Sequence, residues 1–187
     1  MPAATTSVLA VPALGRRALA ALAGALAVAL ASQLALPVPG TPVPVSLAPL
    51  AVVLVGGLLG PRTGAAALVT YLVMGAAGLP VFAPVGLPGA ARLLGPTGGY
   101  LLAYPVAAAL SGAMTARGTG WARVLGAGVL GTLAIYAGGV AQLVVLTGSA
   151  AQAAALGAAP FVAADLAKIG VAALALRRLV PSTRALR

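Results

Sequence analysis

The sequence predicts an all-α protein, a polytopic membrane domain spanning residues 1–187 with six transmembrane helices and both termini on the cytoplasmic side. Three observations lead there. Of 187 residues, 61% are hydrophobic and 6% charged, and mean hydropathy is +1.12. A soluble domain carries about 25% charged residues, so this chain holds more apolar side chain than one aqueous core absorbs. Gly, Pro and Arg divide it into six apolar runs, and the arginines sort to one side of them.

The first run, 19–36, follows Arg16 and Arg17. It exceeds the roughly 7–15 apolar residues of a cleaved signal and reads as a retained helix. The second and third, 47–59 and 65–78, fall short of the about 20 residues that cross 30 Å of hydrocarbon. They must borrow loop residues, tilt, or line a cavity. The last three are 98–114, 124–146 and 160–179. With six spans, Arg16, Arg17, Arg62, Arg117, Arg123, Arg177, Arg178, Arg184 and Arg187 share one side. Only Arg92 falls on the other, and Lys168 lies within a span. The positive-inside rule makes the arginine-rich side cytoplasmic.

The connections are of two kinds. Cytoplasmic ones are short, "GPRTG" (60–64) and 115–123. Outer ones are long and nearly uncharged, "PVPGTPVPVS" (37–46), "LPVFAPVGLPGAARLLGPT" (79–97) and "TGSAAQAAALGAA" (147–159). Proline keeps such segments extended, and loops this long and apolar suit a packed lid. The outer face therefore carries the function.

Composition also excludes chemistry. The net charge of +10 comes from scattered arginines with no basic stripe, so no nucleic-acid partner is expected. Without cysteine or histidine, thiol chemistry and nearly all transition-metal sites are absent. A single acid rules out two-carboxylate catalysis. Ser-Lys chemistry with Ser46, Ser111 or Ser149 lacks any accompanying motif, so the chain is not expected to be an enzyme and needs no cofactor.

The acid, Asp165, and the lysine, Lys168, sit three apart in "PFVAADLAKIG" (160–170). In a helix they share one face, below the outer loops. Each charge costs roughly 2.5–3.5 kcal/mol at the centre of a span. Either they brace each other, with Asp165 favoured by the helix N-terminus, or both face a polar cavity and bind a small solute with donors and acceptors.

Other positions leave alternatives open. "LLGPTGGY" (93–100) lacks the lysine of a phosphate loop. Gly98 and Gly99 mark a loop-to-helix junction or let backbone approach a ligand, with Thr97 or Tyr100 adding a hydroxyl. Tyr136 is a packed aromatic or a cavity wall. Arg92 is a solvated loop charge or an anion contact. In the first span, Ala21, Ala25 and Ala29, and also Ala23, Ala27 and Ala31, repeat every fourth residue. Such ladders dock a partner helix in lipid or pack internally.

Together, "PVPVSLAPLAVVLVGGLLGPRTGA" (42–65), "YLVMGAAGLPVFA" (71–83), "LLGPTGGYLLAYPVAA" (93–108), "GVLGTLAIYAGGVAQLVVLTG" (128–148) and "PFVAADLAKIGVAALAL" (160–176) resemble the BioY family of bacterial biotin uptake components. The resemblance implies a six-helix fold in the bacterial plasma membrane with a biotin site near the outer surface. It also implies coupling to an energising module, a transmembrane coupling protein with two ATPase subunits, for which the alanine ladder is the expected docking face. Asp165 and Lys168 match the family's polar ligand contacts. Ser46 replaces a usual threonine, and Ala48 a common glutamine. Pro84 stands where many members have Gly, Ser or Asn, and Gln142 near a usual aromatic. A different vitamin, or a purely structural bundle, is the alternative reading.

Overall fold

The structure, a computed structural model, describes residues 13–186. It is mostly helical. Helix α1 (Ala13–Gln33) turns Ala21, Ala25, Val28, Ala29 and Ser32 inward and leaves Leu19, Leu22, Leu26 and Leu30 exposed. A large apolar surface of this kind belongs in lipid. The proline-rich segment that follows is not helical. It forms a short antiparallel pair, β1 (Ala35–Leu36) with β2 (Val45–Ser46), in the register Ala35↔Ser46 and Leu36↔Val45. The segment stays outside the helices, as expected of a proline-rich connection, because prolines favour extended backbone over helix.

Helix α2 (Ala48–Leu59) and helix α3 (Pro61–Ala76) meet at Gly60 alone. The expected loop 60–64 is thus a one-residue elbow. Gly60 has φ +81°, which an L side chain rarely adopts, and Pro61 opens α3 where its missing N–H costs nothing. Helix α2 packs against α1, α3 and four later elements, and no residue from 48 to 60 is exposed. Its 12 residues cover about 18 Å at 1.5 Å each. A short apolar helix is stable here because protein surrounds it.

The segment 79–97 carries one helical turn, α4 (Ala91–Leu94). Helices α5 (Gly98–Ala116) and α6 (Trp121–Thr147) then run antiparallel in close contact. The segment 147–159, expected as a loop, contains helix α7 (Ala150–Gly157), started by Ser149, whose Oγ accepts from the Gln152 N–H at 3.3 Å. Helix α8 (Val162–Leu179) follows at a 55° bend, and a 3-10 helix (Val180–Leu186) ends the described chain.

Among the described residues, three helices are long and apolar enough to cross a membrane, α1 from Leu14, α5 and α6, or four if α7 and α8 form one broken span. The core beneath them depends on small residues. A Cβ on Gly56 would lie 2.2 Å from the Ala108 carbonyl oxygen, so α2 and α5 meet backbone to backbone. Ser111 donates to the Val53 carbonyl at 2.8 Å and Thr115 to that of Gly57 at 2.9 Å, fastening the same contact.

Candidate functional site

A cavity lies where the long connections meet the helix ends. Strand β2, the start of α2, and inward faces of α1, α3, α5, α6 and α8 form its wall. Its composition differs sharply from the rest of the chain. The sequence contains four tyrosines and two phenylalanines. All six, Tyr71, Phe82, Tyr100, Tyr104, Tyr136 and Phe161, line this cavity. Tyr71 meets Phe82 edge-on at 5.4 Å and stacks with Tyr104 at 6.2 Å, geometries that aromatic rings favour.

Helix α8 brings its two charges to this wall because Asp165 falls in the first turn and Lys168 one turn further on the same face. Lys168 Nζ donates to Asp165 Oδ1 at 2.8 Å, and the Tyr136 hydroxyl donates to Oδ2 at 2.5 Å. The charges therefore brace each other and also border a hollow. Side-chain exposure is 14% for Lys168 and 9% for Asp165. The ammonium keeps two further N–H donors, and each carboxylate oxygen can accept again. Tyr136 is a cavity wall residue and also orients the carboxylate.

Ser46 and Thr97 line the cavity. Ser46 Oγ accepts from the Ala48 N–H at 3.3 Å, which leaves its proton to donate. Thr97 makes no capping bond. Tyr100 presents its ring while its hydroxyl donates to the Gly157 carbonyl at 2.7 Å, tying α5 to α7. Gly98 and Gly99 are not in the wall. A Cβ on Gly98 would fall 1.9 Å from the Leu93 carbonyl oxygen, and one on Gly99 2.2 Å from that of Gly138. The close approach these glycines permit is to protein backbone.

Arg92 lines the cavity but is not a solvated loop charge, which corrects one of its two readings. It is 5% exposed. Its Nε donates to the Leu87 carbonyl and its two terminal nitrogens to those of Val85 and Ala83, each at 2.6 Å. Burial lowers its pKa from the ordinary arginine value. Gln142 adds bonds to the Leu93 and Gly95 carbonyls at 3.0 and 2.7 Å, and Gln33 reaches the Phe82 carbonyl at 3.2 Å. Segment 79–97 is thus a fastened cover, as expected of a packed lid. The hairpin is held likewise, Thr41 donating to the Leu156 carbonyl at 2.6 Å.

The alanine ladder divides into two faces. Ala21, Ala25 and Ala29 are buried against the bundle, so internal packing, not partner docking, accounts for them. A Cβ on Gly24, between them, would come within 3.0 Å of Ala67. Ala23 and Ala27 are exposed and Ala31 half-buried.

Sequence reasoning missed Ser32, Tyr71, Tyr104 and Thr132, which also line the cavity. Ser32 donates to the Val28 carbonyl at 2.8 Å, so Tyr71 must donate to Ser32 in their 2.8 Å bond. One signal was available: aromatic residues are 4% of the chain, and their rarity makes each a candidate for the same site.

The BioY family model matches residues 4–185. The biotin transporter BioY of Thermotoga maritima is 39% identical over 142 residues, covering 76% of this chain and 83% of that protein. The probable biotin transporter BioY of Pyrococcus horikoshii matches to the same extent. A crystal structure of the S-component for biotin from an ECF-type ABC transporter superposes with a TM-score of 0.79 at 23% identity. It covers 88% of this chain and 90% of that one, and shows the same fold.

Proposed function

We propose that the chain, which belongs to the BioY family, captures biotin from the outer face of the bacterial plasma membrane as the binding component of an uptake transporter. Helices α1, α2, α3, α5, α6 and α8 are its six spans, with both termini cytoplasmic. Support for this orientation comes from the end opposite the cavity. Arg17 and Arg62 border one hollow there, and the Arg177 guanidinium stacks over Trp121 at 4.5 Å. Cations and an indole collected at one end suit a cytoplasmic interface.

The observation that carries the reading is the position of the chain's sole acid and sole lysine, paired with each other in the wall of an aromatic cavity. Biotin has two ureido N–H donors, a ureido oxygen, an apolar sulfur ring and a valerate carboxylate. Asp165 accepts from a ureido N–H, and Lys168 supplies a donor to an oxygen of the ligand. Tyr136 holds Asp165 in place, and the rings of Tyr71, Tyr100 and Tyr104 enclose the apolar part. Ser46 and Thr97 offer hydroxyls at the rim, while Arg92 holds the cover and stands at the edge where an anionic tail leaves. No cofactor is needed and no bond is made or broken; biotin is cargo.

Lacking a nucleotide motif, the chain depends on partners for energy. A transmembrane coupling protein with ATPase subunits would dock on the face of Ala23, Ala27 and Ala31, whose small side chains allow close helix approach in lipid. Detergent-purified protein is expected to retain biotin detectable by mass spectrometry. Asp165→Asn and Lys168→Ala should each weaken binding about tenfold or more, the scale of a hydrogen bond to a charged group. Undiminished binding in both would refute the site.

A further inference from the structure

Two hydroxyls in the cavity wall have no hydrogen-bond partner among the described residues. Tyr104 is 5% exposed and Thr132 8%, and both line the cavity. Among the described residues, every fully enclosed side-chain oxygen or nitrogen is hydrogen-bonded. The hydroxyls of Tyr104 and Thr132 are bonded to none of the described residues, so the little access they have is to the hollows they border. Thr132 also borders a smaller hollow beside the first, shared with Asp165 and Lys168.

Their neighbours differ. The hydroxyls of Tyr71, Tyr100 and Tyr136 are engaged by Ser32, Gly157 and Asp165. Helical threonines here ordinarily donate to the carbonyl one turn back, as Thr70 does to Ala66 and Thr147 to Leu143. Thr132 does not. Tyr104 lies about one helical turn inward of Tyr100 on α5, and Thr132 about one turn inward of Tyr136 on the antiparallel α6, about 6 Å deeper in each case. The two therefore form the floor of the site.

We propose that Tyr104 and Thr132 are specificity-determining contacts that hydrogen-bond the ureido ring of the ligand at the floor of the cavity. This rests on biotin being the cargo. The charge balance selects which end of the ligand reaches the floor. The Asp165 carboxylate and the Lys168 ammonium already neutralise each other there at 2.8 Å. A neutral urea adds no net charge to that region, whereas a carboxylate would be buried without a counter-ion. A polar group left unpaired in apolar surroundings is unfavourable, so the two hydroxyls favour a solute that bonds them over one that cannot.

The test measures equilibrium binding of three ligands to the full-length, detergent-purified chain and its Tyr104→Phe and Thr132→Val variants, which remove only the hydroxyls. Biotin and desthiobiotin share the ureido ring; 2-thiobiotin replaces its oxygen with sulfur, a poor acceptor. Each variant is expected to weaken biotin and desthiobiotin about three- to tenfold and 2-thiobiotin by less, with the melting temperature of ligand-free protein unchanged. Biotin affinity unchanged in both variants overturns the proposal. So does an equal loss for all three ligands, which would mark a packing role. Failure of the unsubstituted protein to bind biotin would instead overturn the cargo assignment on which the proposal rests.

Discussion

The two halves of α5 make opposite use of the same apolar helix. Its outer half carries Tyr100, Leu101 and Tyr104, which wall a cavity on one face, while Gly99 meets the Gly138 backbone of α6 on another. Its inner half carries Ala107, Ala108, Ser111, Gly112 and Thr115, all buried, and there neighbouring backbones touch. Without a hydrophobic drive between helices in lipid, small residues and interhelical hydrogen bonds supply cohesion. The bundle is tied together at one end and can stay hollow at the other. On the face toward α2, side-chain volume, not polarity, separates the hollow end from the closely packed end.

The largest effect expected is at the inner half. Gly56→Val places a side chain where the Ala108 carbonyl oxygen already lies 2.2 Å from an added Cβ. Overpacking usually costs about 1–3 kcal/mol, and more against backbone, so monodisperse protein should be lost on size-exclusion chromatography. A well-behaved Gly56→Val protein would show that the inner half is not closely packed.

Next come the charges of the outer half. Asp165→Asn alone leaves the half-buried Lys168 without its anionic partner and should lower stability by about 1.5–3 kcal/mol, whereas Asp165→Asn with Lys168→Met should restore most of it. Biotin binding should fail in both. A double variant as unstable as the single would mean that the pair is not coupled, and thermal unfolding reads that difference. Arg92→Met removes donors from the Ala83, Val85 and Leu87 carbonyls. Hydrogen exchange across 79–97 should rise and biotin should dissociate faster, while the inner half keeps its protection.

Two smaller changes sharpen the contrast. Ala25→Leu, at a fully buried position, should lower the melting temperature, at a cost of about 1–3 kcal/mol. Ala27→Leu, at an exposed one, should leave melting and biotin binding unchanged and lower only energised uptake. Thr41→Val removes the bond to the Leu156 carbonyl and should cost about 1 kcal/mol, seen as a modest rise in the biotin off-rate. An equal effect of Ala25→Leu and Ala27→Leu on melting would contradict the two-faced description of α1.

Most element positions were legible. The predicted runs 47–59 and 98–114 differ from α2 and α5 by a residue or two at their ends, because Pro and Gly punctuate them. Helix α7 was not legible: alanine-rich "AAQAAALG" (150–157) was read by its place between spans, although its helix propensity and Ser149 cap pointed to a helix. Asp165 and Lys168 were legible because they are chemically unique in the chain. Tyr71, Tyr104 and Thr132 were not. In a helix apolar all round, no hydropathy contrast tells an inward face from an outward one.

By itself the sequence determined the solvent of this protein and the inventory of its chemistry: lipid around apolar helices, one acid, one lysine, no thiol and no imidazole. It placed the two charges on one face of one helix, since three-residue spacing is a local property of the backbone. Only the tertiary structure decided that these charges neutralise each other beside a hollow. It also brought every tyrosine and phenylalanine to that hollow, turned Arg92 inward, and buried one alanine ladder while leaving the other exposed. Such outcomes depend on which helices become neighbours, and packing between distant segments leaves no periodic trace in a uniformly apolar chain.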